Sequence, residues 1–149
     1  MITADAHQLI LSRGRPTPAR VRVLNTLLGS SVALTHSELE SRLAETGSLD
    51  RVTLYRVLEW LVAKGLVHKI VGEDRVWRFS AAASEAYGPA GTHGHAHFQC
   101  TGCGKLYCLD ELRPVYAFSL PPGFRCEQAE LTLRGQCPPC STRVAKDEK

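Results

Sequence analysis

The first half of the chain places its apolar residues with a helical period, then changes to the two-residue period of strands. Ala4–Ser12 reads as a short amphipathic helix. Pro18 suits the first turn of a second helix running to about Leu28, with Val21, Leu24 and Leu28 on one face. "THSE" (Thr35–Glu38) is a capping box, a Thr N-cap with Glu three residues on, and opens a helix to about Ala44. Asp50 caps a longer helix, "RVTLYRVLEWLVAK", whose Leu54, Val57, Leu58 and Leu61 fall at i, i+3, i+4 and i+7 and so face a core. Gly65 ends it. "LVHKIV" and "RVWRF" around "GED" predict a β-hairpin. Three helices followed by a hairpin is the outline of a winged helix, although other small α+β domains share it.

The pattern then breaks. "SAAASEAYGPAGTHG" is small, polar and punctuated by Gly and Pro, as a hinge would be. Beyond it the chain is β-rich: "AHFQC" and "KLYCL" flank a Cys-Gly turn, and "FRCEQAELTLRG" alternates near its end. "RPVYAFSLPPG" carries too many prolines for a long helix. The expected organisation is α+β, with a helical domain of winged-helix outline over 1–80, a hinge over 81–92 and a second domain over 93–149.

Length and composition narrow the class. At 149 residues, 44% of them hydrophobic, the chain suffices for one compact domain or two small ones. It has no apolar run of 18 residues, and its N-terminus has no basic stretch before the first apolar one. The expectation is a cytoplasmic protein with no membrane partner. The net charge of +3 is uneven. Residues 1–80 hold 11 Lys+Arg against 8 Asp+Glu, whereas 81–149 hold 7 of each. The excess sits at Arg13, Arg15, Arg20 and Arg22, a weak pointer to a polyanion.

A reducing cytosol leaves six cysteines in need of a role other than disulfides. Cys100-x-x-Cys103 and Cys137-x-x-Cys140 supply one. A two-residue spacer lets both thiolates of a pair reach one ion from a tight turn, with Gly102 and Gly104 around the first knuckle and Pro138 and Pro139 inside the second. Two pairs complete a tetrahedral set of four sulfurs, the pattern of a structural zinc site with no open coordination position. The 33 residues between the pairs exceed the usual ribbon spacing. A redox dithiol and buried small hydrophobes are the alternatives.

On the long helix, Arg51, Tyr55, Arg56 and Glu59 lie away from the apolar stripe. An exposed aromatic beside an arginine can touch a thymine methyl and a guanine edge or a phosphate. It can equally be a solvated helix face. Arg15, Thr17 and Arg20 are open between phosphate contact and helix capping. Thr53 completes the candidate DNA-contacting set.

"RPTPARVRVLNTL", "DRVTLYRVLEWLVAKGLVHKI", "HGHAHFQCTGCGKLYCLDEL" and "LRGQCPPC" together resemble the ferric uptake regulator family of metal-dependent transcriptional repressors, in order and over nearly the whole chain. The resemblance implies an N-terminal winged-helix DNA-binding domain, a hinge, and a small C-terminal α/β dimerisation domain with a four-cysteine zinc site. It implies a homodimer on double-stranded operator DNA, not an enzyme. Tyr55 and Arg56 match the family's base-contacting pair, and Arg20 its backbone-contacting arginine. Family members sense iron, zinc, manganese, nickel, haem or peroxide.

The sensor ligands depart from the family's pattern. Arg78 or its neighbours stand where the wing would end on an acid, Ala129 where the last strand would carry a histidine, and Cys108 where an acid would follow the knuckle. What remains is His93, His95 and His97, at alternating positions, and Cys108 on the neighbouring strand of the same hairpin. His36, at the start of a helix in the first domain, is an alternative fourth ligand bridging the domains. Cys126 is open between ligand and core. Exchanging a carboxylate for a thiolate moves the site toward soft, four-coordinate binding, hence toward zinc as a second, regulatory ion. The alternatives are an iron or peroxide sensor of the same family and, in another class, a zinc-dependent enzyme using the His-rich site. Against the enzyme, no acid beside the histidines offers a general base.

Overall fold

Why the first apolar stripe folds as it does is visible in its caps. In the computed structural model, described for residues 5–81, 96–109, 119–125 and 131–147, each of the first four helices starts on a side chain that accepts a backbone N–H. Asp5 caps α1 (Ala6–Leu11) and Thr17 caps α2 (Pro18–Leu28). Thr35 and Glu38 close both bonds of the capping box on α3 (His36–Ala44), and Asp50 caps α4 (Arg51–Ala63). Each cap satisfies donors that a helix end otherwise leaves orphaned. Gly65 takes a left-handed φ of +73° just past α4, where a Cβ would be strained.

The chain divides into two compact units, Met1–Ser84 and Glu85–Lys149. In the first, the faces of α1, α2, α3 and α4 bury Ile10, Leu24, Leu27, Leu39, Leu43, Leu54, Leu58 and Leu61 in one core. Strands β2 (Val67–Val71) and β3 (Trp77–Ala81) pair antiparallel as the expected hairpin. A two-residue strand, β1 (Leu34–Thr35), adds to the other side of β3. Sequence periodicity did not foretell β1, because two residues are too few to show a period. Helices packed on a three-stranded sheet that ends in a hairpin make a winged helix, with α4 as its last helix.

The second unit has strands β4 (Ala96–Cys100), β5 (Leu106–Leu109) and β6 (Thr132–Gly135) in the order β5-β4-β6. β4 runs antiparallel to β5 and parallel to β6. A helix, α5 (Pro138–Asp147), follows. Here the structure differs from the expected second knuckle. Pro138 and Pro139 open a helix rather than sit in a turn, because proline's fixed φ and missing N–H suit a first helical turn. The segment "RPVYAFSLPPG" and the position of Ala129 lie mostly or wholly outside the described residues.

Leu61 is fully buried where α4 meets the core. Leu61→Ala should cost about 2–5 kcal/mol, since both transfer free energy and a cavity are involved. Thermal unfolding followed by circular dichroism would show it, and a Tm equal to that of the parent would place Leu61 outside a packed core.

Candidate metal centre and nucleic-acid interface

Cys100 ends β4, Cys103 follows in the turn to β5, Cys137 follows β6, and Cys140 lies in the first turn of α5. Parallel pairing of β4 with β6 brings Cys100 opposite Gly135, which carries the second pair to the first. All four sulfurs lie within 4.8 Å of one another, with Cys103 Sγ 3.7 Å from Cys137 Sγ. Cys100, Cys137 and Cys140 are buried, and Phe98 and Tyr107 pack against them.

The backbone is folded to favour thiolate. The N–H groups of Cys137 and Cys103 donate to Cys100 Sγ at 3.3 and 3.5 Å. These bonds bring the Cys100 thiol down to about 6. Cys137 is lowered by the N–H of Cys140. Cys140 is pushed up to about 12, first by its hydrogen bond to Cys137 and then by desolvation, and the hydrogen bond to Cys137 raises Tyr107 to about 12 as well. Two sulfurs are thus favoured as anions by backbone N–H groups, while the third is held as a thiol by its hydrogen bond to Cys137 and by desolvation. A divalent cation at the centre would relieve that crowding and let all four ionise. The donor set therefore fits a structural metal. The close packing also explains Gly102: a Cβ there would stand 2.9 Å from Cys140 Sγ. Gly104 turns the knuckle at φ +76°.

The expected second site is only partly within view. His93, His95 and Cys126 lie outside the described residues. His97 and Cys108 are directly opposite in the β4–β5 ladder, so their side chains share one face of the sheet, with ligand atoms within 4.8 Å. His97 is buried and Cys108 half-buried.

In the first unit, α4 presents Tyr55 and Arg56 to solvent, Tyr55 with half its surface exposed. Thr53 is half-buried, its N–H held by Asp50 at 2.9 Å. Arg51, 72% exposed, pairs with Glu40 at 3.7 Å. His36 stacks on Tyr55 with ring centroids 4.0 Å apart and planes inclined by 25°. Its Nδ1 is 3.8 Å from Glu40, and its buried Nε2 has no hydrogen-bond partner. Burial lowers the His36 imidazole below its usual value, partly offset by Glu40.

Thr17 accepts the N–H of Arg20 at 3.3 Å, so its hydroxyl serves as a cap. The Arg20 guanidinium lies 3.8 Å over the centroid of Trp60 and donates to the Arg15 carbonyl at 2.6 Å. Arg15 itself is exposed. Trp60 was missed by pattern reading, although a Cβ on Gly14 would meet its ring at 2.7 Å. The signal was a lone tryptophan between apolar positions of α4, which one helical wheel cannot distinguish from core. Arg78 was foreseen as standing in place of an acid. It grips Asp74 through two bonds of 2.8 and 2.7 Å, and that clamp lowers Asp74 to about 2. Because the folded value lies below the unfolded one, this clamp contributes above the ordinary carboxylate range and is lost as pH falls toward 2.

The sequence profile of the ferric uptake regulator family matches residues 12–112. The transcriptional regulator FurA of Mycobacterium tuberculosis is 30% identical over 139 residues, covering 91% of this chain and 89% of its own length. Among solved structures, a zinc uptake regulator complexed with zinc and DNA has a TM-score of 0.65 at 23% identity, over 96% of this chain and 95% of its own. The Vibrio cholerae ferric uptake regulator has a TM-score of 0.60 at 21% identity, over 89% of this chain and 100% of its own.

The close approach at Gly102 generates a test. Gly102→Ala should displace Cys140, lower the content of tightly held divalent metal after purification and melt the second unit, while circular dichroism of the helical first unit persists. A variant with full metal content and an unshifted melting curve would refute the crowded tetrathiolate.

Proposed function

This chain belongs to the ferric uptake regulator family, and from that premise we propose that it is a zinc-responsive repressor that binds operator DNA as a homodimer in the cytoplasm. Members of this family are transcription regulators, which removes the zinc-dependent enzyme weighed from sequence. The finer assignment, zinc, rests on the cross-strand pair His97–Cys108. A thiolate beside an imidazole is a soft donor pair that suits four-coordinate zinc better than octahedral iron or manganese. His95 is two residues before His97, and strand alternation would give it the same face; His93 has the same parity. We take His93, His95, His97 and Cys108 as the regulatory ligand set. We leave out His36, the alternative fourth ligand, whose ring stacks on Tyr55. Zinc is also the ion we assign to Cys100, Cys103, Cys137 and Cys140. There it supplies charge neutralisation and a cross-link, with no open position for chemistry.

On the DNA side, Tyr55 and Arg56 lie adjacent on the exposed face of α4 and are assigned to base edges in the major groove. Arg15, Arg20, Arg51 and Thr53 are assigned to the phosphate backbone and register, with Thr17 holding the turn before α2. Ligand binding at the histidine site would select the arrangement in which two such faces span successive half-sites. A zinc uptake regulator complexed with zinc and DNA shares the fold, as does a ferric uptake regulator, so the choice of zinc over an iron or peroxide sensor rests on the donor pair His97–Cys108.

Two measurements test the reading. Operator binding followed by fluorescence anisotropy should respond to zinc at lower free concentration than to iron(II) or manganese(II), and Arg56→Ala should cost about 1–3 kcal/mol on the specific site. With cobalt(II) as the probe ion, loading beyond the first equivalent should add thiolate charge-transfer absorption that Cys108→Ser removes. An octahedral second-site spectrum indifferent to that substitution would transfer the assignment to iron or manganese.

A further inference from the structure

Tyr55 poses a physical problem for a base reader. It is half-exposed on α4, and an exposed aromatic side chain samples several rotamers. Fixing such a side chain at the moment of docking costs affinity, so a reader held in place beforehand binds more tightly for the same contacts. The structure holds this one from a neighbouring helix. The His36 ring lies against it at 4.0 Å, within the range of stacked aromatic pairs.

The position of His36 is itself well determined. It is the first residue of α3, immediately after the Thr35 capping box, so its backbone is fixed by Thr35 and Glu38. One turn on, Glu40 faces both His36 Nδ1 at 3.8 Å and the Arg51 guanidinium at 3.7 Å, and Arg51 opens α4. The two helices are therefore joined by a stack and by a shared carboxylate. His36 and Tyr55, with Lys69 and Trp77 of the wing, also line a cavity of about 440 Å³. Lys69 is occupied over Trp77 at 4.3 Å.

We propose that His36 is a positioning residue for DNA reading: its ring braces Tyr55 in the orientation that meets the base edge, and it does so by stacking rather than by binding metal. The inference rests on the assignment of Tyr55 as a base reader made above. It predicts that an apolar aromatic ring at position 36 suffices, whereas a metal ligand at that position would demand a ring nitrogen.

The test uses the full-length, zinc-loaded protein and its operator, with His36→Ala, His36→Phe, Tyr55→Ala and Arg56→Ala. His36→Ala should weaken specific binding by roughly 3- to 10-fold with an unchanged salt slope, since no phosphate contact is lost. His36→Phe should restore binding to about the parent level, with metal content unaltered in both variants. A double-mutant cycle should show His36→Ala and Tyr55→Ala to be non-additive, and His36→Ala with Arg56→Ala to be additive. The proposal is overturned if His36→Ala binds as the parent does, or if both position-36 variants lose binding together with metal. It is overturned equally if the His36–Tyr55 cycle is additive. If the parent protein shows no zinc-dependent operator binding, the functional assignment fails first, and a parent that binds normally beside an unaffected His36→Ala sinks the brace alone.

Discussion

Four ionisable sulfurs within 4.8 Å of one another are the constraint on which the second unit depends. The first unit buries a continuous set of leucines, valines and a phenylalanine, enough to hold helices and a hairpin together. The described part of the second unit has no comparable store of apolar surface. Its buried cluster is Cys100, Cys137 and Cys140, with Phe98 and Tyr107 against it. Sulfur stands where a larger domain would have leucine. A cluster of free thiols gains little from burial and loses much from mutual repulsion once deprotonated. A cation among them would convert that repulsion into an attraction joining β4, the knuckle and α5. The hydrogen bonds to Cys100 Sγ and the closeness of Gly102 to Cys140 follow from this crowding.

The exposed face of α4, which carries Tyr55 and Arg56, is flanked by contacts from neighbouring segments. Arg20 and Gly14 close on Trp60 from the segment before α2, and His36 and Glu40 reach α4 from α3. On the wing, Asp74 and Arg78 fix the turn. Of these groups Trp60 also packs on the edge of the core, and the others act through ion pairs, stacking and hydrogen bonds. Net stability comes from the leucines, and orientation comes from this outer layer.

How far the sequence revealed these features depended on the range over which each acts. Caps and periodicity act within a turn or two, so Pro18, Thr35, Asp50 and the stripe of α4 were legible, and those helices began where these residues placed them, while Thr17 was left open between capping and phosphate contact. The cysteine pairs were legible because two-residue spacing has few other uses. What escaped were contacts between segments far apart in the chain. Nothing local announces that Trp60 would carry Arg20, that His36 would lie on Tyr55, or that Arg78 would be held by Asp74. The prolines of "CPPC" were read as turn formers because a first helical turn and a tight loop use the same fixed φ. His97 and Cys108 facing one another was legible, since strand parity and a short turn determine the pairing.

The parallel pairing of β4 with β6 has a consequence for how the protein is made. Antiparallel neighbours such as β4 and β5 can zip from their turn as soon as both are synthesised. β6 and the second cysteine pair must instead be brought back across a long stretch, Cys137 meeting Cys100 over 37 residues. Closing that loop is entropically costly and slow compared with forming a helix, so the cluster is completed late. Synthesis runs from the N-terminus, so the first knuckle is made before the last two sulfurs. During that interval Cys100 and Cys103 form a bare dithiol, open to oxidants and to any soft ion. Until the second pair arrives, the first knuckle has only half of its sulfur partners.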